Sequence, residues 1–230
     1  MQSVVDVFNL LFGSDPELRG IIGVTLQLSL TSTVISCCIG IPFGMLLASY
    51  SFRGKKLILR FTHTLMGLPP VVAGLIVFFI LSRSGPLGQY KLLYSTTAMI
   101  IAQILIITPI AAGLSASIAG DRLPKLRETV LGVNMSRRRQ LIYTIYECRY
   151  QLFSVLFTGF GRAISEVGAA QIVGGNIQYK TRIMTTAIVQ QTNMGYFKQA
   201  IALGILLFII SFIVTSTAHF FMGSKYDKIV

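Results

Sequence analysis

Arg162 and Glu166 are the residues whose types and spacing most invite chemistry. They stand four apart inside Ser154–Val173, a run that carries no other charge. On a helix they share one face, flanked by Gly161, Ser165, Gly168 and Ala169. A lone charge in hydrocarbon is costly, so the two are expected to neutralise each other in a bundle interior. Two roles stay open: an ion pair that fixes helix packing, or a polar element of a hinge or pathway. Acid–base catalysis is not indicated, because no two acids or histidines pair within an apolar run. Cys37 and Cys38 lie in one apolar stretch and Cys148 lies in a basic segment, a placement that suggests neither a disulfide nor a metal site. No G-x-x-x-x-G-K-[ST] sequence occurs, so the chain itself is not expected to bind ATP.

The elements that must position this pair are apolar on the scale of a bilayer. Of 230 residues, 53% are hydrophobic and 12% charged, about half the charge of a soluble domain. Gly20–Phe52 holds 33 residues without a charge, more than the roughly 20 that cross the hydrocarbon. This first span must therefore tilt, protrude or bend at Pro42. Its hydroxyls (Thr25, Ser29, Thr31, Ser32, Thr33, Ser36) mark a side facing protein or a cavity. Gly40 and Gly44 suit close helix contact, within the chain or, as the alternative, at a dimer seam. A second span, 61–82, contains Pro69 and Pro70, which must break or kink it. A third covers 92–120, a fourth 154–173 and a fifth 199–224. The turn Gly174-Gly175-Asn176 ends the fourth at its outer side, either as a simple helix stop or as an anion-facing nest of amides. Residues 177–198, with Thr181, Thr185, Thr186, Gln190 and Gln191, read as a re-entrant or interfacial helix.

The boundaries that follow are a leader (1–19), a transmembrane domain (20–224) and a tail (225–230). The leader has no basic region or cleavage signature, so no signal peptide is expected. The net charge of +12 fits the positive-inside rule better than nucleic-acid binding. Thirteen basic residues fall on one side of the spans and six on the other, which puts the N-terminus outside and the C-terminus in the cytoplasm. Five spans give that arrangement. No inverted repeat is visible, which argues against a self-contained secondary transporter, and a pore would then lie between two copies.

A polar island interrupts the apolar runs at 121–150. It carries seven basic residues and three acids. Pro124 suits the first turn of one short helix, and Leu141, Ile142, Ile145 and Tyr146 give helical spacing to a second. The two would meet near Asn134 as a knob for a partner's groove. A plain solvated loop is the alternative.

Within the island, Glu128-Thr129-Val130, three residues and then Asn134-Met135-Ser136 resembles the cytoplasmic loop motif of binding-protein-dependent ABC permeases. In that family the pattern is Glu-Ala-Ala, three residues, Gly. Thr129 and Val130 stand at the alanine places. Asn134 stands at the glycine place, and asparagine also visits the left-handed conformation; Gly132 is the alternative turn residue. The family's later Ile-x-Leu-Pro element has no clear counterpart here. Leu68-Pro69-Pro70-Val71-Val72-Ala73-Gly74-Leu75 and Ser82-Arg83-Ser84-Gly85-Pro86-Leu87-Gly88 resemble molybdate and tungstate permeases. Gly161-Arg162-Ala163-Ile164-Ser165-Glu166-Val167-Gly168-Ala169, with Val173-Gly174-Gly175-Asn176-Ile177, is most similar to the tungstate branch.

The resemblance covers roughly residues 20–224. It implies an all-α integral membrane fold of the type I ABC importer permease kind, with cytoplasmic coupling helices. It further implies a homodimer, two cytoplasmic ATPase subunits that carry ATP and Mg, and an extracytoplasmic oxyanion-binding protein. Import of tungstate by alternating access is the expected activity, with molybdate or another oxyanion as the alternative. A stand-alone proton-coupled transporter using Glu166, or a membrane scaffold, are the rival readings. On the family reading Glu128, Gly132, Asn134, Ser136, Arg137 and Arg138 would couple to the ATPase, the arginines touching it or lipid headgroups. Arg162 would attract the dianion, and Thr181, Thr185, Thr186 and Gln190 would donate hydrogen bonds to it in passage, or simply form an outer loop that touches the binding protein.

Overall fold

The computed structural model describes residues 16–130 and 136–226, and within these the side chains of 124–130, 137–138 and 218–226 are left aside. Eight α-helices make up the described chain: α1 (Pro16–Ser49), α2 (Lys55–Met66), α3 (Pro70–Leu81), α4 (Thr96–Val130), α5 (Arg137–Ile164), α6 (Gly168–Gly174), α7 (Met184–Asn193) and α8 (Phe197–Tyr226). A turn of 3₁₀ helix at Gly88–Tyr90 sits in the loop before α4.

α1 remains one helix of 34 residues through Pro42, about 50 Å long. It therefore protrudes or tilts rather than ending at its proline. Its close partner is α4. A methyl group on Gly40 would lie 2.7 Å from Ala111 Cβ and 2.8 Å from the Thr108 carbonyl, and one on Gly44 would run into the Ala112 carbonyl. The small-residue pair is thus an intrachain seam. Gly159 brings α5 onto the same seam, within 3.5 Å of Thr33 and Ile107 by the same measure. The hydroxyl stripe of α1 faces this protein interior: Thr25, Ser29, Ser32, Thr33 and Ser36 are all buried.

A second core joins α3, α4 and α6 through Ala73, Val77, Leu81, Ala98, Ala102, Ala169 and Val173. At one end of the bundle, Leu18 and Ile21 of α1 pack with Met184 and Ala187 of α7 and Leu203 and Leu206 of α8. At the opposite end Met45, Ala119, Leu123, Cys148 and Leu152 bind α1, α4 and α5 together. Large apolar side chains such as Val34, Phe43, Phe79, Phe208 and Phe212 remain exposed on the outer faces, as lipid or a second protein surface requires.

Two of the expected spans differ in form. The second is not a kinked helix over 61–82: α2 and α3 meet at 101° across the break at Gly67–Pro69. Pro70 sits at the first position of α3, where its missing N–H costs nothing. The Pro69 carbonyl still accepts from the Val72 and Ala73 amides. The fourth is not one helix over 154–173, because Ser165–Val167 separate α5 from a seven-residue α6. By length and composition, three helices of the described chain can cross a membrane, or four if α2 and α3 count as one broken span.

The island also differs. The sequence suggests two short helices, yet Pro124 begins nothing: α4 runs on to Val130, and α5 starts at Arg137 as a helix of 28 residues. Pro124 is tolerated because it forgoes a bond to Gly120, which is exposed with open space around it. Gly132 and Asn134, the leader 1–15 and Lys228 lie outside the described residues.

Candidate functional site

The break between α5 and α6 gathers the polar side chains buried at depth. α5 ends at Ile164 with Ser165 as its last cap, and the Glu166 amide bonds back to the Ala163 carbonyl. Glu166 then turns inward. Its carboxylate is 3% exposed and lies 3.5 Å from the Arg162 guanidinium, which is 36% exposed. The other carboxylate oxygen accepts the Ala169 amide at 3.1 Å, so Glu166 also caps the start of α6. The two residues therefore form an ion pair, but with Glu166 in the break rather than on a continuous helix face.

Both interrupted helices meet here. A methyl group on Gly168 would lie 2.9 Å from Val71, the second residue of α3, and one on Gly74 would lie 2.8 Å from Ala169 Cα. The Pro69–Pro70 break and the Ser165–Val167 break are thus packed against each other. Backbone groups freed by a break at membrane depth need internal partners, and side chains supply them. Gln103 of α4, 1% exposed, donates to the Ala163 carbonyl at 3.0 Å and accepts from the Ser32 hydroxyl at 2.5 Å. It ties α1, α4 and the last turn of α5 at one point. Thr185 of α7 donates to the Glu166 carbonyl at 2.8 Å.

The remaining hydroxyls have equally definite partners. Thr181 donates to the Gly174 carbonyl at 2.6 Å and accepts the Ile177 amide. Thr186 accepts the Ile183 amide and so caps α7, while the Met184 amide donates to Thr25 of α1. Arg182 pairs with Glu17 at 2.7 Å, tying the segment before α7 to the start of α1. Thr181, Thr185 and Thr186 are buried, with hydroxyl hydrogens engaged by the chain's own carbonyls. Thr185 braces the break, Thr181 the turn after α6 and Thr186 the start of α7, and a lining role would require those bonds to open. Gln190 accepts from the Asn176 amide at 2.7 Å and is half-buried. Gly175 (φ 70°) and Asn176 (φ 50°) are left-handed and the Gly175 amide closes on the Gln171 carbonyl, a plain helix stop.

Around the junction of α4 and α5, the described residues include only some of the ATPase-coupling candidates. Ser136 is exposed and precedes α5 as its cap. Glu128 lies on the last turns of α4 and Arg137 and Arg138 on the first turn of α5, their side chains outside the description. Below them Cys148 is fully buried against Met45 and Leu123. Burial pushes its thiol above the ordinary range, with Arg122 opposing and Glu147 adding to the shift. Arg149 rests over the rings of Tyr146 and Tyr150 at 4.0 and 4.5 Å.

Sequence reasoning did not assign Gln103 a role, nor foresee that the two breaks meet. A lone amide in an uncharged span was the available signal for Gln103, since such a group needs partners in lipid.

Long apolar helices, with two breaks packed on each other and braced by side chains, are those of a multi-pass membrane protein. Residues 40–223 match the family of binding-protein-dependent transport system inner membrane components. Over 210 residues the chain is 40% identical to the tungstate uptake system permease protein TupB of Peptoclostridium acidaminophilum, spanning 91% of this chain and 92% of that one. It is 36% identical to the protein of that name from Campylobacter jejuni, across 91% and 88%. A probable anion ABC transporter permease protein of Haloferax volcanii is 35% identical over 195 residues, 83% of this chain and 84% of the relative. Among solved structures, a bacterial ABC transporter involved in the import of the acidic polysaccharide alginate superposes with a TM-score of 0.72 at 18% identity, covering 97% of this chain and 83% of that one. The chain belongs to the binding-protein-dependent transport system inner membrane component family. It is a permease subunit of an ABC importer, residing in the cell membrane, and not itself an enzyme.

Proposed function

We propose that this permease carries tungstate into the cell by alternating access. The observation that carries the reading is the half-exposed Arg162 guanidinium backed by the buried Glu166 carboxylate, set where two interrupted helices abut. A bare arginine in a conduit would trap a tetrahedral dianion. One half-neutralised from behind attracts without holding, which conduction requires. The names of the relatives at 40% and 36% identity support tungstate as cargo, with molybdate, of like shape and charge, as the alternative.

The assembly that fits is a homodimer with the pathway between its two copies. An extracytoplasmic oxyanion-binding protein delivers the cargo; a related fold has been seen with a substrate-bound periplasmic protein. Two cytoplasmic ATPases hold ATP and Mg and grip the island at 121–150. The α5–α6 unit, broken at Ser165–Val167, serves as a further span beside α1, α2–α3, α4 and α8. That gives five, with the N-terminus outside, the tail 225–230 inside and 20–224 as the transmembrane domain. Glu128, Gly132, Asn134 and Ser136 shape the docking knob, and Arg137 and Arg138 meet the ATPase surface. Cys148 and Leu152, packed on Met45, carry its movement to α1.

The test is reconstitution of the whole importer in liposomes with Glu128→Ala or Arg138→Glu. Each variant should lose tungstate uptake per ATP hydrolysed while the permease stays folded. Unchanged coupling in both variants defeats the assignment. Uptake by the permease alone, abolished by a protonophore and indifferent to vanadate, would instead support proton coupling through the buried Glu166.

A further inference from the structure

The 101° turn between α2 and α3 leaves one side of α2 exposed. One face packs on α4: Thr62 is buried, and Gly113 lies against Met66 and within 3.3 Å, by its missing methyl, of His63. The rest of the helix divides into two exposed stripes. Lys56, Arg60 and Thr64 follow one another at four-residue intervals and are exposed. Beside them run Leu57, 71% exposed, and Phe61, 64% exposed. A cleft of about 500 Å³ lies at the start of α2, lined by Phe52, Lys55, Lys56, Leu57 and Arg60 among others. Lys55 donates to the Ala48 carbonyl at the end of α1 at 2.8 Å. Neither Lys56 nor Arg60 forms an ion pair among the described residues, and no acid occurs in sequence between Glu17 and Asp121.

We propose that α2, as the arm of the broken α2–α3 span that reaches the bilayer boundary, binds the phosphate headgroups of anionic phospholipids through Lys56 and Arg60 while Leu57 and Phe61 enter the acyl region. Gly113, its contact on α4, precedes the first island residue, Asp121, by about 12 Å of helix. With Asp121 at the outer edge of a headgroup layer about 5–7 Å thick, Gly113 and the end of α2 lie about 5 Å into the acyl region, well short of the bilayer centre. A basic stripe beside a bulky apolar one is the form of a helix lying in that boundary. A second copy of the chain is a poor occupant, since it would present the same uncompensated cations.

The chain contains no tryptophan, so Phe61→Trp places a single fluorophore on the face in question. The full-length protein is reconstituted in phosphatidylcholine bilayers with brominated phosphatidylglycerol, and in the reverse mixture. Both leaflets have the same composition, so the result depends neither on orientation nor on cargo, and a failure here leaves the transport reading untouched. Quenching should favour phosphatidylglycerol by roughly 30-fold, about fivefold for each of the two cations at an anionic surface. The preference should vanish in the Lys56→Gln/Arg60→Gln variant and persist in Lys56→Arg/Arg60→Lys. If the neutral variant does not fold, salt decides: the parent's preference should fall between about 0.05 and 0.5 M NaCl as charges are screened. Equal quenching by the two lipids, a preference that survives charge removal or salt, or no quenching by either lipid because protein covers the face, each overturns the proposal.

Discussion

Replacing Gln103 by leucine tests the idea that one buried amide holds the broken helix in place. The side chain is 1% exposed and makes two bonds, accepting from Ser32 and donating to the Ala163 carbonyl. Leucine fills nearly the same volume, so little cavity arises and the loss is mainly polar. Hydrogen bonds between membrane helices average about 0.6 kcal/mol and reach about 1.7. Two bonds then amount to about 1–3 kcal/mol, or roughly 5–150-fold in the unfolding equilibrium. The Ala163 side of the loss should dominate, because Ser32 can still donate to the Ser29 carbonyl, 3.3 Å away. Unfolding by SDS in mixed micelles, followed by far-UV circular dichroism, measures this directly. Gln103→Glu should be worse than Gln103→Leu: an ionised carboxylate accepts from Ser32 but cannot donate to Ala163, and adds a buried charge. A leucine variant within about 0.3 kcal/mol of the parent, or a glutamate variant more stable than the leucine one, refutes the brace.

Gly44→Val should prevent stable folding, because any side chain there meets the α4 backbone at Ala112, whereas Gly204→Val, with open space around it, should be tolerated; detergent-soluble yield and thermal melting separate the two. At Glu166, glutamine keeps an acceptor for the Ala169 amide and loses only the partly exposed pair with Arg162, so it should cost less than about 1 kcal/mol. Glu166→Ala loses both and should cost about 1–3 kcal/mol more, read by the same SDS titration; equal losses would show that the cap contributes nothing. The buried Cys148 thiol has a raised pKa, so the folded chain favours its neutral form. Its contribution to stability is complete below the ordinary thiol value of 9.0 and declines as pH rises past it. Maleimide should label Cys148 slowly at neutral pH in the folded protein and quickly once it is denatured, and rapid labelling of native protein would contradict its burial.

The α-helical membrane class follows from runs of uncharged residues alone, because their lengths match the bilayer whatever the helices pack against. The Gly40–Gly44 seam and the protein-facing hydroxyls of α1 were legible for a related reason: small and polar side chains in a span are tolerated only against other protein. Pro69 and Pro70 announced a break, and Arg162 and Glu166 a compensated pair. What the sequence could not convey was direction and company. A helix break has no angle until another segment receives the redirected chain, and only packing on Gly113 and Ala169 turns α2 and α3 through 101°. Nor does periodicity reveal that Ser165–Val167 would rather leave the helix, since the partners that make the break tolerable, Gln103 and Thr185, come from 60 residues before and 19 after the groups they serve. Thr181, Thr185 and Thr186 likewise read as free donors until the fold supplied the carbonyls that occupy them. Chain composition thus set what had to be buried in lipid, while the tertiary structure alone decided which polar groups satisfy one another there.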